Sequence, residues 1–172
     1  TQNIYMRGNA YMQVRVPGVK GLTYKLSLGA NINDNQSRSW STGVNYALNF
    51  TDQSSSATAN ASRRTSFIVE NTLNYDRELG KHTINAVLGQ SYQANNNVSS
   101  SATRQNLIST NSGQYLTNVS SGITISGANG TTSQSRLISY FGRLNYSYDS
   151  RYLLQATVRA DGSSRFAPGN KW

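Results

Sequence analysis

Apolar and polar residues alternate with a period of two in six stretches of the chain. Residues 8–16 place Ala10, Met12, Val14 and Val16 against Tyr11, Gln13 and Arg15. Residues 22–33 place Leu22, Tyr24, Leu26, Leu28, Ala30 and Ile32 against Thr23, Lys25, Ser27 and Asn31. In 64–75 the apolar set moves to odd positions, Phe67, Val69, Leu73 and Tyr75, with Ile68 as the exception. Residues 82–93 alternate through Ile84, Ala86, Leu88 and Tyr92. Residues 137–148 do so through Ile138, Tyr140, Leu144, Tyr146 and Tyr148, and 152–161 through Tyr152, Leu154, Ala156, Val158 and Ala160. Alternation at 180° per residue predicts strands with one apolar and one wet face. No helical period competes over a comparable length.

The connections alternate in length. Pro17–Gly21, Asp76–Lys81 and Asp149–Arg151 are short and carry turn residues. Residues 34–62 and 94–135 are long and rich in Ser, Asn, Thr and Gly. The strands therefore come as three antiparallel hairpins, with the long excursions on one side only. Thr42–Phe50 also alternates, but a seventh full strand there would exchange the sides of every later turn. It is read as an extension or hairpin inside the first long loop.

Composition sharpens this picture. Charged residues make up 13% of the 172 positions, while Ser, Thr, Asn and Gln fill 70. Zero Cys excludes disulfides, thiol nucleophiles and Cys-bound metals. The single His, His82, has no partner for a metal site. The net charge of +9 raises nucleic acid as a partner. Its twelve Arg are scattered singly except for Arg63-Arg64, so no phosphate-tracking stripe exists and nucleic acid is not expected. No catalytic set can be assembled, and Glu70 lacks a carboxylate partner at hydrolase spacing. Asn60-Ala61-Ser62 is a chance sequon, and Asn129-Gly130 is a turn signal.

The wet face decides between two all-β architectures. A soluble sandwich would carry many Lys and Glu there. This chain has Ser, Thr, Asn, Gln and Gly with isolated Arg. Short turns on one side, long loops on the other and Tyr75, Tyr92, Tyr140 and Tyr152 near the ends of the apolar band match a transmembrane β-barrel of an outer membrane. Open edges are not tolerated in lipid, and six strands are below the eight-strand minimum. The chain is thus expected to be part of a larger barrel, and these residues alone are not expected to fold into a working unit. The alternative is a structural or adhesive β-protein, either a surface scaffold or a soluble Ser/Asn-rich sandwich.

Three motifs carry a more specific resemblance. They are Ser139-Tyr140-Phe141-Gly142-Arg143-Leu144-Asn145-Tyr146, then Arg151-Tyr152-Leu153-Leu154, then Arg159-Ala160-Asp161-Gly162-Ser163-Ser164-Arg165-Phe166. Together they resemble the SusC/RagA family of TonB-dependent outer-membrane transporters. Gly8-Asn9-Ala10-Tyr11, Gly18–Leu22 and Leu73-Asn74-Tyr75 with Gly80-Lys81-His82 look like preceding hairpins of the same barrel. The resemblance implies a 22-strand type barrel in the outer membrane of a Gram-negative bacterium, with 34–62 and 94–135 as extracellular loops. The plug and N-terminal extension of a full member are not seen in these residues. It also implies import of an oligosaccharide or oligopeptide, a SusD-like lipoprotein partner contacting those loops, and TonB acting through parts of the protein not seen here. No cofactor, metal or enzyme activity is implied.

Two groups of residues are candidates for function. Arg15, Lys25, Arg143 and Arg159 lie on the expected lumen face, where they line the passage or are satisfied by acids. Asp161, Gly162, Ser163, Ser164, Arg165 and Phe166 form a structural loop motif, in which an Asp161–Arg165 pair would hold the turn; the functional alternative is ligand contact at the outer mouth.

Overall fold

A computed structural model describes residues 1–42, 54–108, 116–167 and 169. The strands are β1 (Gln2–Arg15), β2 (Leu22–Ser41), β3 (Ser56–Leu79), β4 (His82–Leu107), β5 (Gly122–Tyr148) and β6 (Tyr152–Ser163). One short 3-10 turn, Val119–Ser121, precedes β5. The strands form one antiparallel sheet in chain order, β1-β2-β3-β4-β5-β6. The expected all-β meander of hairpins is therefore present. No second sheet covers it among the described residues.

The short turns owe their tightness to backbone that most residues avoid. Gly18 and Gly21 adopt φ of 81° and 87° in the first, and Val16 N–H donates to Leu22 O at 3.0 Å across it. Gly21 also accepts the Asp76 N–H at 2.9 Å, so close that any Cβ at Gly21 would overlap the Asp76 carbonyl. The third turn places Asp149 and Ser150 at φ of 50° and 55°, the double positive φ of a primed hairpin turn. Asp149 N–H donates to Lys81 O at 2.7 Å, and Lys81 Nζ lies 3.3 Å from the Asp149 carboxylate. The second and third turns are thereby tied together.

The strands run further than the apolar alternation indicates. β2 ends at Ser41 rather than 33, β4 at Leu107 rather than 93, and β3 and β5 begin at Ser56 and Gly122 rather than 64 and 137. Much of what reads as loop in 34–62 and 94–135 is paired strand. The reason is that both faces become polar there, so alternation vanishes while the backbone ladder continues. Side chains knit it across strands: Thr58 and Thr103 hydroxyls at 3.0 Å, Ser99 and Thr131 at 2.7 Å, and Arg63 on Asp34 at 2.6 Å. Of Thr42–Phe50, only Thr42 lies among the described residues.

The chain divides into two compact units. One comprises Thr1–Met6, Ile32–Arg64 and Asn97–Ser133; the other comprises Arg7–Asn31, Thr65–Asn96 and Gln134–Trp172. The only buried hydrophobic residues described are Ala57 and Leu107, both in the first. The second buries none, yet exposes Leu88 at 63%, Val158 at 70% and Leu154 at 58%. A single sheet cannot bury its own apolar face, so this face is built to meet something apolar outside the chain.

Candidate functional site

The β5–β6 register sorts residues cleanly onto two faces of the second unit. Tyr140 faces Ala160, Gly142 faces Val158, Leu144 faces Ala156 and Tyr146 faces Leu154. The intervening pairs are Ser139 with Asp161, Phe141 with Arg159, Arg143 with Thr157 and Asn145 with Gln155. The first set continues the apolar face and the second the polar face.

The polar face carries a hollow of about 570 Å³. Glu70, Ser91, Gln93, Arg143, Thr157 and Arg159 supply its polar lining. Of the four basic residues expected to share this face, Arg143 and Arg159 meet here, and Arg15 and Lys25 do not line it. Lys25 Nζ instead stands 5.1 Å from the centroid of the Tyr11 ring. Arg15 is the exposed last residue of β1.

The two arginines differ in state. Arg159 Nε lies 2.9 Å from both Asp161 carboxylate oxygens, and its Nη2 donates to Ser139 Oγ at 3.2 Å. Arg143 has no ion pair among the described residues, and it is exposed. Arg159 is therefore a satisfied charge that braces β5 against β6, while Arg143 presents its guanidinium to the hollow. Arg159→Gln is expected to lower the melting temperature of the full-length barrel slightly, as loss of an exposed, solvent-screened pair does. Arg143→Gln is expected to leave it unchanged. Calorimetric melting of both variants in detergent checks this, and equal losses would contradict it.

The pair Asp161–Arg165 is not formed. Asp161 takes Arg159 instead, because residues two apart on a strand share a face. Asp161, Gly162 and Ser163 are still in β6. Ser164 extends the ladder, its N–H donating to Arg136 O and its Oγ accepting from Arg136 N–H, both at 2.9 Å. Arg165 N–H donates to Ser163 Oγ at 3.2 Å, and Phe166 N–H to Ser163 O at 3.3 Å, which turn the chain off the sheet.

Some of the hollow is apolar. Ile68, Val87, Leu137 and Phe141 also line it, so this face is not uniformly wet. Phe141 fits because Gly89 lies under its ring, and Ile68 because Gly29 does the same for it. The break in alternation at Phe141 was the available signal. At the short-turn end, His82 Nδ1 is 2.7 Å from Tyr146 Oη, and its ring centroid lies 4.9 Å from that of Tyr148, which stacks with Tyr152 at 6.4 Å. His82 thus belongs to an aromatic cluster of the kind that marks a membrane interface.

Comparison with known proteins matches this geometry. No family model matches the chain. TonB-dependent receptor P3 of Formosa agariphila is 34% identical over 108 residues, covering 63% of this chain and 11% of that receptor. TonB-dependent receptor SusC of Bacteroides thetaiotaomicron is 64% identical over 36 residues, covering 21% of this chain and 4% of SusC. The RagAB peptide importer in its open-open state superposes with a TM-score of 0.84 at 24% identity, covering 98% of this chain and 18% of that one. The chain therefore spans about a tenth to a fifth of the length of the proteins it matches over most of its residues. Its sequence is similar to TonB-dependent receptors, and its fold is that of a stretch of barrel wall. Within that class its matches are to SusC by sequence and to the RagAB importer by fold.

Proposed function

We propose that this chain forms part of the wall of an outer-membrane importer of nutrients, with the apolar face in lipid and the polar face toward the passage. The observation that carries the reading is the second unit's two-faced sheet, which has no core of its own and leaves Leu88, Leu154 and Val158 uncovered. Its cargo is an oligosaccharide or oligopeptide, which isolated Arg and abundant hydroxyl and amide groups suit better than a dense charge field. A SusD-like surface lipoprotein works with it on the side of the long excursions, and TonB supplies the energy from the other side. No covalent chemistry is assigned to it. The competing reading, an adhesive or structural surface protein, needs neither energy coupling nor a partner lipoprotein.

The test is uptake by cells expressing the full-length protein. Fluorescent oligosaccharides and oligopeptides are offered, with and without a proton-motive force. Energy-dependent accumulation that disappears on deleting the gene is expected. Accumulation that is unchanged by the deletion, across both cargo classes, would refute import.

A further inference from the structure

Three glycines of the second unit lie inside strands that have a neighbour on both sides: Gly29 in β2, Gly89 in β4 and Gly142 in β5. Two are accounted for within the chain. A Cβ on Gly29 would stand 2.7 Å from Ile68 Cγ2, and one on Gly89 would overlap the Phe141 ring. Gly142 is different. Its φ is not positive, and a Cβ there would meet Leu88 Cδ2 at 3.3 Å and Val158 Cγ1 at 3.5 Å, both tips of side chains on the open face. The backbone does not demand glycine, and the neighbour nearest a Cβ, tight at 3.3 Å, is the flexible end of Leu88, which can give. A glycine inside a strand weakens it, and one use is to admit something that approaches closely from outside.

The missing side chain leaves an open groove of about 460 Å³ on the apolar face. Gly142 and Ala160 floor it, and Leu73, Leu88, Tyr140 and Val158 wall it. Polar groups also line it: Tyr24 Oη donates to Asn71 Oδ1 at 2.6 Å, and Asn71 Nδ2 to Gln90 Oε1 at 3.5 Å. Two amides on a lipid-facing surface are costly unless they have partners, and each amide nitrogen carries two donors.

Height places these amides. Gln90 is eight residues into β4 from His82, roughly 26 Å of strand at about 3.3 Å per residue. At a tilt near 45° that is about 19 Å of height, against an apolar band about 25 Å tall. With the His82–Tyr148–Tyr152 cluster at the near interface, the amides sit a few ångströms below the far one. That is the depth of a lipid's acyl carbonyls and hydroxyls. The groove then runs from there toward the membrane centre.

We infer that this groove holds one acyl chain of an outer-leaflet glycolipid of the lipid A type, its carbonyl or hydroxyl oxygen accepting from Asn71 or Gln90. The inference rests on the reading above, that this face lies in the outer membrane with the long excursions outside.

The experiment uses the full-length protein reconstituted in phosphatidylethanolamine vesicles containing lipid A, extracted in mild detergent and weighed by native mass spectrometry. The wild type is expected to retain a lipid A molecule that Gly142→Leu, which fills the groove, loses. Ala86→Leu, on the same face outside the groove, is expected to keep it. Should Gly142→Leu fail to assemble, the double variant Leu88→Ala/Val158→Ala truncates two of the four walls and is expected to lose the lipid as well. Equal retention by wild type and groove variants overturns the inference. So does retention of phosphatidylethanolamine in place of lipid A, or a change of oligomeric mass with lipid unaltered, which would make the groove a protein contact. A wild type that inserts into vesicles and holds no lipid A refutes this inference alone. One that does not insert refutes the proposed function and this inference together.

Discussion

Gly89→Leu in the full-length protein is expected to prevent assembly of the barrel, and Phe141→Ala in the same chain to restore it. The Phe141 ring lies over Gly89 so closely that even a Cβ would overlap it. The obstacle is a ring held between two strands, which cannot yield like the free end of a lysine. Overpacking of this kind costs about 1–3 kcal/mol where the structure can relax. Relief by strand separation would add the loss of ladder hydrogen bonds between β4 and β5, which in lipid have no water to replace them. Heat-modifiable migration on gels reads out assembly. A double variant no better assembled than Gly89→Leu would show that the ring is not the obstacle. The prediction bears on function because Phe141 pairs with Arg159 across β5 and β6 and lines the same hollow as Arg143 and Arg159.

How much of this was legible in the sequence depends on which interactions decide each feature. The hairpins and the two faces follow from a period-two pattern that needs no partner, and Leu88, Tyr140 and Val158 fall on the face their positions indicate. The strand ends were not legible, because beyond Asn33 or Gln93 hydroxyl and amide side chains occupy both faces and polarity no longer distinguishes them. Thr58 with Thr103 and Ser99 with Thr131 are cross-strand pairs, visible only once the register is known. The same limit hid the fit of Phe141 over Gly89. Residues 52 positions apart in sequence pack together solely through the pairing of β4 and β5. The Arg159–Asp161 pair, by contrast, was accessible: residues two apart on a strand share a face, and that local geometry prevails over the four-residue separation of Asp161 and Arg165. The Tyr24–Asn71–Gln90 row breaks the apolar alternation at Asn71 and Gln90, a signal that period alone averages away.

Val158→Arg should be the most damaging single charge introduced into β6, while Thr157→Arg next to it should be nearly silent. Adjacent strand residues point to opposite faces, and here Val158 pairs with Gly142 on the apolar face while Thr157 pairs with Arg143 on the polar one. Val158 lies six residues in from Tyr152. That is roughly 20 Å of strand, or about 14 Å of height at a 45° tilt, close to the middle of a band about 25 Å tall. An arginine at that depth costs about 2–4 kcal/mol in a barrel wall. On the other face Arg143 and Arg159 already stand, so one more guanidinium meets water and two like charges, a surface change of about 0.5 kcal/mol. Urea titration of the full-length barrel in phospholipid vesicles measures both. A large loss at 158 with little at 157 puts the apolar face in hydrocarbon. Equal small losses would mean that this face meets water or a polar partner, and the wall would then have to be inverted or belong to a protein outside the membrane. The comparison has force because the two positions share a strand, a depth and an exposed setting, and differ in direction alone.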